Sequence, residues 1–254
     1  MSNKSAENTD FLSTRITQNE KHQSIDINVW AFEKIGGNKQ KLNILELCCG
    51  TGKQTEYLSN NFPESNITCV DVSKDAIAAI GNKFADKKNR VKAIVSGIDE
   101  FFANNNQNFD MIFCSYGLYY ATDIDSVLIK LYGSLNENGR FVVMGPYGNN
   151  NKQLFDLVLK SEVKIPPFVT YSSCDFMHSK VIYSGIMNTH KIEIFSTTNS
   201  IKWNAPEDVV SYWKNSTFYD AAKESLFREL LDGEMKNSQA FINDKHIMLV
   251  IITK

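Results

Sequence analysis

The chain has 254 residues, 43% of them hydrophobic, enough apolar material for one sizeable core and a single domain. A formal net charge of -2 without a long basic run argues against a duplex or bulk-phosphate binder, so no nucleic-acid partner is expected. No apolar run reaches the length of a membrane span and the start, MSNKSAENTD, lacks the apolar centre of a secretory signal, so a cytoplasmic protein with no membrane partner is expected. The five cysteines, Cys48, Cys49, Cys69, Cys114 and Cys174, form no C-x-x-C pair and have no histidine at metal-ligand spacing. They read as reduced, packed thiols, with no metal site.

Residues up to about Asp10 read as loosely attached. Between Phe11 and Ile35, apolar Leu12, Ile16, Ile25, Ile27, Trp30, Phe32 and Ile35 alternate with polar residues, which predicts one or two helices ending at Gly36-Gly37. Leu42 to Gly52, LNILELCCGTG, then combines a short apolar strand, the acid Glu46 and a small-residue turn before the helix-like KQTEYLSNN. Such a strand, tight turn and helix N-terminus let a ligand lie against backbone. A Walker A loop fails twice, because Leu47 replaces its first glycine and Gln54 its Ser/Thr. A dinucleotide fingerprint fails once, with Thr55 in place of its third glycine, which disfavours an NAD(P)-dependent oxidoreductase.

Lys53 to Phe62 reads as the first crossover helix and Asn66 to Val70 as the second strand, ending in Asp71. Asp71 lies 19 residues beyond Gly52, about where a doubly wound fold presents an acid to ribose hydroxyls. The alternative role, an N-cap, is open to Ser73 and Asp75 instead. Lys74 to Phe84 is expected as a helix, Val91 to Val95 as a strand, Phe109 to Cys114 as a strand, Asp125 to Leu135 as a helix and Arg140 to Met144 as a strand after an Asn136 to Gly139 turn. Further on, helices are expected at Asn151 to Val163, Pro206 to Lys214 and Asp220 to Met235. Strands are expected at His190 to Ser196, Ile201 to Trp203 and His246 to Ile252, and a polar-aromatic loop or short helix at Tyr171 to Lys180.

The acid-x-G-x-G-x-G pattern of Glu46, Cys48, Gly50 and Gly52, with Cys48 in the first glycine's place, resembles motif I of the class I S-adenosylmethionine methyltransferases. The Phe109-Asp110-Met111-Ile112 strand and the later helix, L-x-x-x-G and apolar strand extend that resemblance over Asn43 to Gly145. It implies an α/β, doubly wound, Rossmann-like and mainly parallel seven-stranded sheet with an antiparallel last strand. Residues 11–37 would form an N-terminal helical cover, 41–146 the cofactor-binding core, and 147–254 a substrate-side insertion and the closing strands. S-adenosylmethionine would be held by Glu46, Cys48, Gly50, Gly52, Asp71 and Val72, with Gly97 and Ile98 at the adenine and Ser115 and Tyr116 after the fourth strand. Gly97 stands where the family presents an acid. Arg15, His22, Asp26 and Trp30 are candidates to line the cover.

For the acceptor, the resemblance points to Tyr119 and Tyr120, and His178 is the first choice of base, ahead of His22; His190 and His246 read as structural. Asp123 and Asp125 read as helix caps. The [DNS]-P-P-[YF] motif of amino-methylating enzymes is replaced by Cys114-Ser115-Tyr116-Gly117. The expectation is methyl transfer to a small-molecule acceptor, through an oxygen nucleophile of a polar metabolite, a natural product or a surface-carbohydrate precursor. The alternative is a non-catalytic, S-adenosylmethionine-binding regulator or partner subunit.

Overall fold

A computed structural model describes residues 9–187 and 191–254; His190 lies outside them. The helical stretch at the start resolves into α1 (Thr9–His22) and α2 (Ile27–Ile35). The apolar run after it forms β1 (Asn43–Leu47), buried at every residue but the first, as suits a strand flanked on both edges in a parallel sheet. The crossover series follows as α3 (Lys53–Asn61), β2 (Asn66–Asp71), α4 (Lys74–Lys83), β3 (Val91–Val95), α5 (Ile98–Asn104), β4 (Phe109–Ser115), α6 (Ile124–Gly133) and β5 (Leu135–Pro146). The remaining elements are α7 (Lys152–Lys160), α8 (Pro167–Thr170), α9 (Tyr183–Met187), β6 (Lys191–Trp203), α10 (Pro206–Lys214), α11 (Glu224–Ser238) and β7 (Phe241–Thr253).

The seven strands lie in the order β3-β2-β1-β4-β5-β7-β6, a mixed sheet with parallel pairing from β3 through β5 and antiparallel last strands. This is the doubly wound order expected, with the chain reversing direction across the sheet between β1 and β4.

Three expectations need correction. The Asn136 to Gly139 turn is a bulge inside β5, whose register with β4 slips between Phe109 and Met111. Asp110 fixes it: one carboxylate oxygen accepts from Asn136 Nδ2 at 2.7 Å and the other from the Asn43 backbone N–H at 2.8 Å. The two short strands expected around residues 190–203 are one strand, β6, because Thr197, Thr198 and Ser200 between them tolerate extended backbone. Tyr171 to Lys180 is neither loop nor ordinary helix but lies in two π-helical segments, Tyr171–Asp175 and Met177–Ile182.

The chain forms two compact units. Unit 1 comprises Met1–Ile27, Pro146–Asp175 and Thr197–Ile247, and unit 2 comprises Asn28–Gly145, Phe176–Ser196 and Met248–Lys254. In unit 2 the core is the sheet interior, with Leu45, Phe113 and Phe141 fully buried. In unit 1 it is aromatic: Trp213 stacks on Phe227 at a centroid separation of 4.1 Å, and Trp203 on Phe241 at 6.2 Å. Truncating Trp213 to Ala removes the larger half of the closer stack and leaves a cavity. A loss of about 3–5 kcal/mol is expected, read from the urea midpoint followed by Phe227-side near-UV dichroism.

Candidate cofactor and acceptor site

Strands β1, β2 and β4 are neighbours and run parallel, so the loops leaving their carboxyl ends meet within unit 2. After β1 the backbone is left-handed at Cys48 (φ 56°), Gly50 (φ 49°) and Gly52 (φ 72°). Glycine takes this conformation freely, whereas at Cys48 it costs roughly 1 kcal/mol. Gly52 opens α3 without any side-chain cap, leaving the helix N-terminus to other partners. A methyl group at Gly117, after β4, would lie 2.3 Å from Cys48 Cβ and 2.5 Å from its Sγ. The two loops therefore touch at a glycine that admits no side chain.

Asp71 joins β2 to the turn. One carboxylate oxygen accepts from the Gly50 N–H at 2.9 Å and the other from the Ser73 N–H at 2.9 Å. The N-cap of α4 is Ser73, which accepts from the Ala76 N–H. Val72 stands 58% exposed beside this carboxylate, while Ile98, at the start of α5, is buried. Gly97 has no atom within 4 Å of where a side chain would begin, so the space in front of Ile98 is open. Asp99 accepts from the Thr122 and Asp123 N–H groups at 2.9 Å each. These bonds outweigh burial and hold its carboxyl below the usual range. They tie the start of α5 to the entry of α6, where Asp123 is the N-cap and Asp125 pairs with Lys180. Nothing at sequence level marks this clamp, since its partners are backbone groups far along the chain.

Ser115 ends β4 with its hydroxyl buried and without a hydrogen-bond partner among the described residues. Tyr116 follows in a left-handed conformation (φ 54°), its N–H donating to the Met144 carbonyl at 2.9 Å. Tyr119 is half-buried and packs edge-on against Phe176 at 5.7 Å, and Tyr120 is exposed beside it at 4.8 Å. His178 lies in unit 2, exposed on the second π-helical segment. His22 lies in unit 1, 3.4 Å from Asp208. His246 sits within β7 rather than at its start, 3.2 Å from Thr198 Oγ1.

Glu46 is placed differently from the other cofactor candidates. It is fully buried beneath the turn, where its carboxylate accepts from Thr55 Oγ1 at 2.6 Å and lies 3.6 Å from Cys69 Sγ. Burial pushes its pKa up to about 7, only partly opposed by the Thr55 and Cys69 hydrogen bonds. Four of the cysteines pack around the same turn. Cys114 beside Cys48, and Cys69 beside Cys49, together with burial, push the Cys48 and Cys49 thiols well above their ordinary range.

Residues 44–139 match a family profile described as a methyltransferase domain. A malonyl-[acyl-carrier protein] O-methyltransferase of Bacillus cereus is 25% identical over 229 residues, 84% of this chain and 82% of the relative. A malonyl-[acyl-carrier protein] O-methyltransferase of Ilyobacter polytropus is 27% identical over 155 residues, 61% of this chain, and the match spans only about half of that relative, 54%. The domain match and these relatives support a class I S-adenosylmethionine-dependent methyltransferase. Solved structures agree on the fold. The YcgJ protein of Bacillus subtilis superposes with a TM-score of 0.63 at 16% identity, over 89% of this chain and 97% of that one. Phosphoethanolamine N-methyltransferase 2 of Haemonchus contortus, solved with S-adenosylhomocysteine, gives 0.55 at 13% identity, over 89% of this chain and 52% of that one.

The methyltransferase cofactor carries ribose hydroxyls, an apolar adenine face and a charged amino-acid end. Asp71 retains unused lone pairs on both oxygens, Val72 is an exposed apolar side chain, and Ser115 has an orphaned hydroxyl. These features fit that ligand.

Two predictions follow from the turn. Gly117→Ala should cost about 1–3 kcal/mol by overpacking against Cys48, and Cys48→Gly should recover most of that loss in the double variant, as measured by a urea-unfolding cycle. Glu46 binds its proton more tightly folded than unfolded, so its contribution is fully present below about pH 4.5 and is lost as pH rises through about 7. Stability should therefore fall by up to about 1.4 kcal/mol per pH unit across that window. Glu46→Gln, a neutral mimic, should flatten this slope in denaturant titrations at successive pH values.

Proposed function

We propose that this chain transfers the methyl group of S-adenosylmethionine to an oxygen nucleophile of a small-molecule acceptor. The observation that carries this reading is the Asp71 carboxylate, which grips the glycine turn through Gly50 and still has lone pairs for two hydroxyls. In this reading those lone pairs take the ribose 2′- and 3′-OH, while Val72 and Ile98 hold the adenine on either side of the open space at Gly97. The backbone from Cys48 to Gly52, with Ser115 and Tyr116, receives the amino-acid end. Glu46 supports the turn from below.

S-adenosylmethionine supplies a methyl group on a sulfonium, which is displaced in line. The protein's part is to align the acceptor oxygen and keep water out. In this reading Tyr119, half-buried against Phe176, shapes the acceptor side, with Tyr120 next to it. His178 is exposed on its π-helical segment and stays the first candidate for a base where the acceptor is an alcohol or phenol. A carboxylate acceptor needs no base, being ionised at neutral pH. The O-methyltransferase names of the relatives, which specify an acyl group on a carrier protein, support an acidic acceptor as well.

Calorimetric titration of S-adenosylhomocysteine should show tight binding to the wild type and binding weaker by roughly tenfold or more in Asp71→Ala, with NADH inert. Equal affinity in the two proteins would remove Asp71 from the ribose site. Label transfer from methyl-labelled cofactor to a panel of dicarboxylic acids and their monothioesters, each keeping a free carboxylate, should then give a methyl ester. Tight cofactor binding without transfer to any of them would favour the binding-only alternative.

A further inference from the structure

The amphipathicity of α9 is reversed. Tyr183, Ile186 and Met187 stand at i, i+3 and i+4, which places them on one stripe, and they are 59, 60 and 61% exposed. The opposite side is small and polar. Ser184 Oγ meets the Tyr132 hydroxyl at 3.0 Å, and a methyl group on buried Gly185 would lie 2.9 Å from Ile192 Cδ1 and 3.0 Å from Ile252 Cδ1. The helix thus sits on β6 and β7 through a glycine and turns its apolar side chains to solvent. Single exposed apolar residues are ordinary, whereas a contiguous stripe marks a surface that meets something.

Beside this stripe lies an open strand edge. β6 is the last strand of the sheet, and Ile194, on the same face as Ile192, is 48% exposed. In unit 1 the outer edge of β6 is covered: Gln23 bridges Ile201, and Ser24 Oγ accepts from the Ser200 N–H at 2.9 Å. In unit 2, Lys191 to Ser196 have no strand on that side among the described residues. Exposed edges are usually blunted by proline, by cover or by charge. This stretch has no proline, and its two charges, Lys191 and Glu193, pair with each other at 3.4 Å.

We propose that a second copy of this chain docks here, β6 against β6, as a two-fold dimer with one continuous sheet. An antiparallel register about Ile194 sets Ile194 beside its own copy, Ile192 opposite Ser196 and Glu193 opposite Phe195, with no like charges opposed. A register about Glu193 would oppose two carboxylates. Because α9 lies over β6 and β7, the two α9 helices come two strand spacings apart, ~10 Å, an ordinary helix-packing distance. Each outward stripe thereby meets its twin. A foreign partner would have to carry both a free strand edge and an apolar helix at that spacing; a second copy supplies both by symmetry. No residue of the cofactor or acceptor site takes part, so the contact is independent of the methyl-transfer reading.

The test is sedimentation equilibrium of the full chain from about 1 to 100 μM, a range that brackets a modest interface. A monomer–dimer equilibrium is expected, with a Tm that rises with concentration. Ile186→Asp, at an exposed position, should keep its far-UV dichroism and weaken dimerisation by roughly tenfold or more. Ile194→Cys should give a reducible dimer after oxidation with copper phenanthroline, whereas the wild type and Lys202→Cys, exposed on the covered stretch of β6, should not. A monomer at every concentration, a dimer untouched by Ile186→Asp, or no cross-link from Ile194→Cys would overturn the proposal. So would a chain that stays monomeric and binds phosphatidylcholine–phosphatidylglycerol vesicles through this stripe, with binding lost in Ile186→Asp, which would give the surface to a membrane.

Discussion

A single carboxylate, that of Asp71, fixes the geometry on which the candidate site depends. Its two oxygens receive N–H groups from Gly50 and Ser73, so the end of β2 holds both the turn after β1 and the entry of α4. The neighbouring Cys49 N–H donates to the Val70 carbonyl, carrying the β1–β2 contact two residues past the end of β1. With the turn so placed, Cys48 is pressed against Gly117, and this contact sets how closely the loop after β4 can approach. The loops after three adjacent strands are thereby positioned through one anchored turn.

Beneath the turn the same residue type has the opposite fate. Glu46 lies two residues before Cys48 but is held within β1 and fully buried, whereas Cys48 already stands in the left-handed turn beyond the strand. Desolvation there favours its protonated form, with Thr55 and Cys69 supplying the polar contacts that remain. Asp71 stays at the edge, where the Gly50 and Ser73 backbone N–H groups donate to it. Two acids a short distance apart in the fold thus divide the work: one is a buried support, the other a half-buried acceptor of backbone hydrogen bonds.

Much of this was legible in the sequence because it is local. The apolar run before a glycine-rich turn, the Asp71 interval and the helix–turn–strand rhythm as far as β5 depend on residues close together in the chain. What was not legible depends on partners far apart. The bulge in β5 exists because Asp110 reaches Asn136 and Asn43, and the left-handed Tyr116 has no glycine to announce it. The inward turn of Arg15 and Asn19 is equally hidden: nothing near them in the sequence announces Tyr212, some two hundred residues later, which opposes them.

Strands β6 and β7 each pass from one compact unit into the other, β6 after Ser196 and β7 after Ile247. Neither unit is therefore a continuous stretch of chain. Unit 1 needs residues 241–247 and unit 2 needs residues 248–254 before its list of segments is complete. The parallel strands from β1 to β5 precede the last segment of their unit in the chain, so no single continuous stretch completes either unit. Its final strand acts as a shared closing step, and an interrupted or nicked chain would lose part of both units at once.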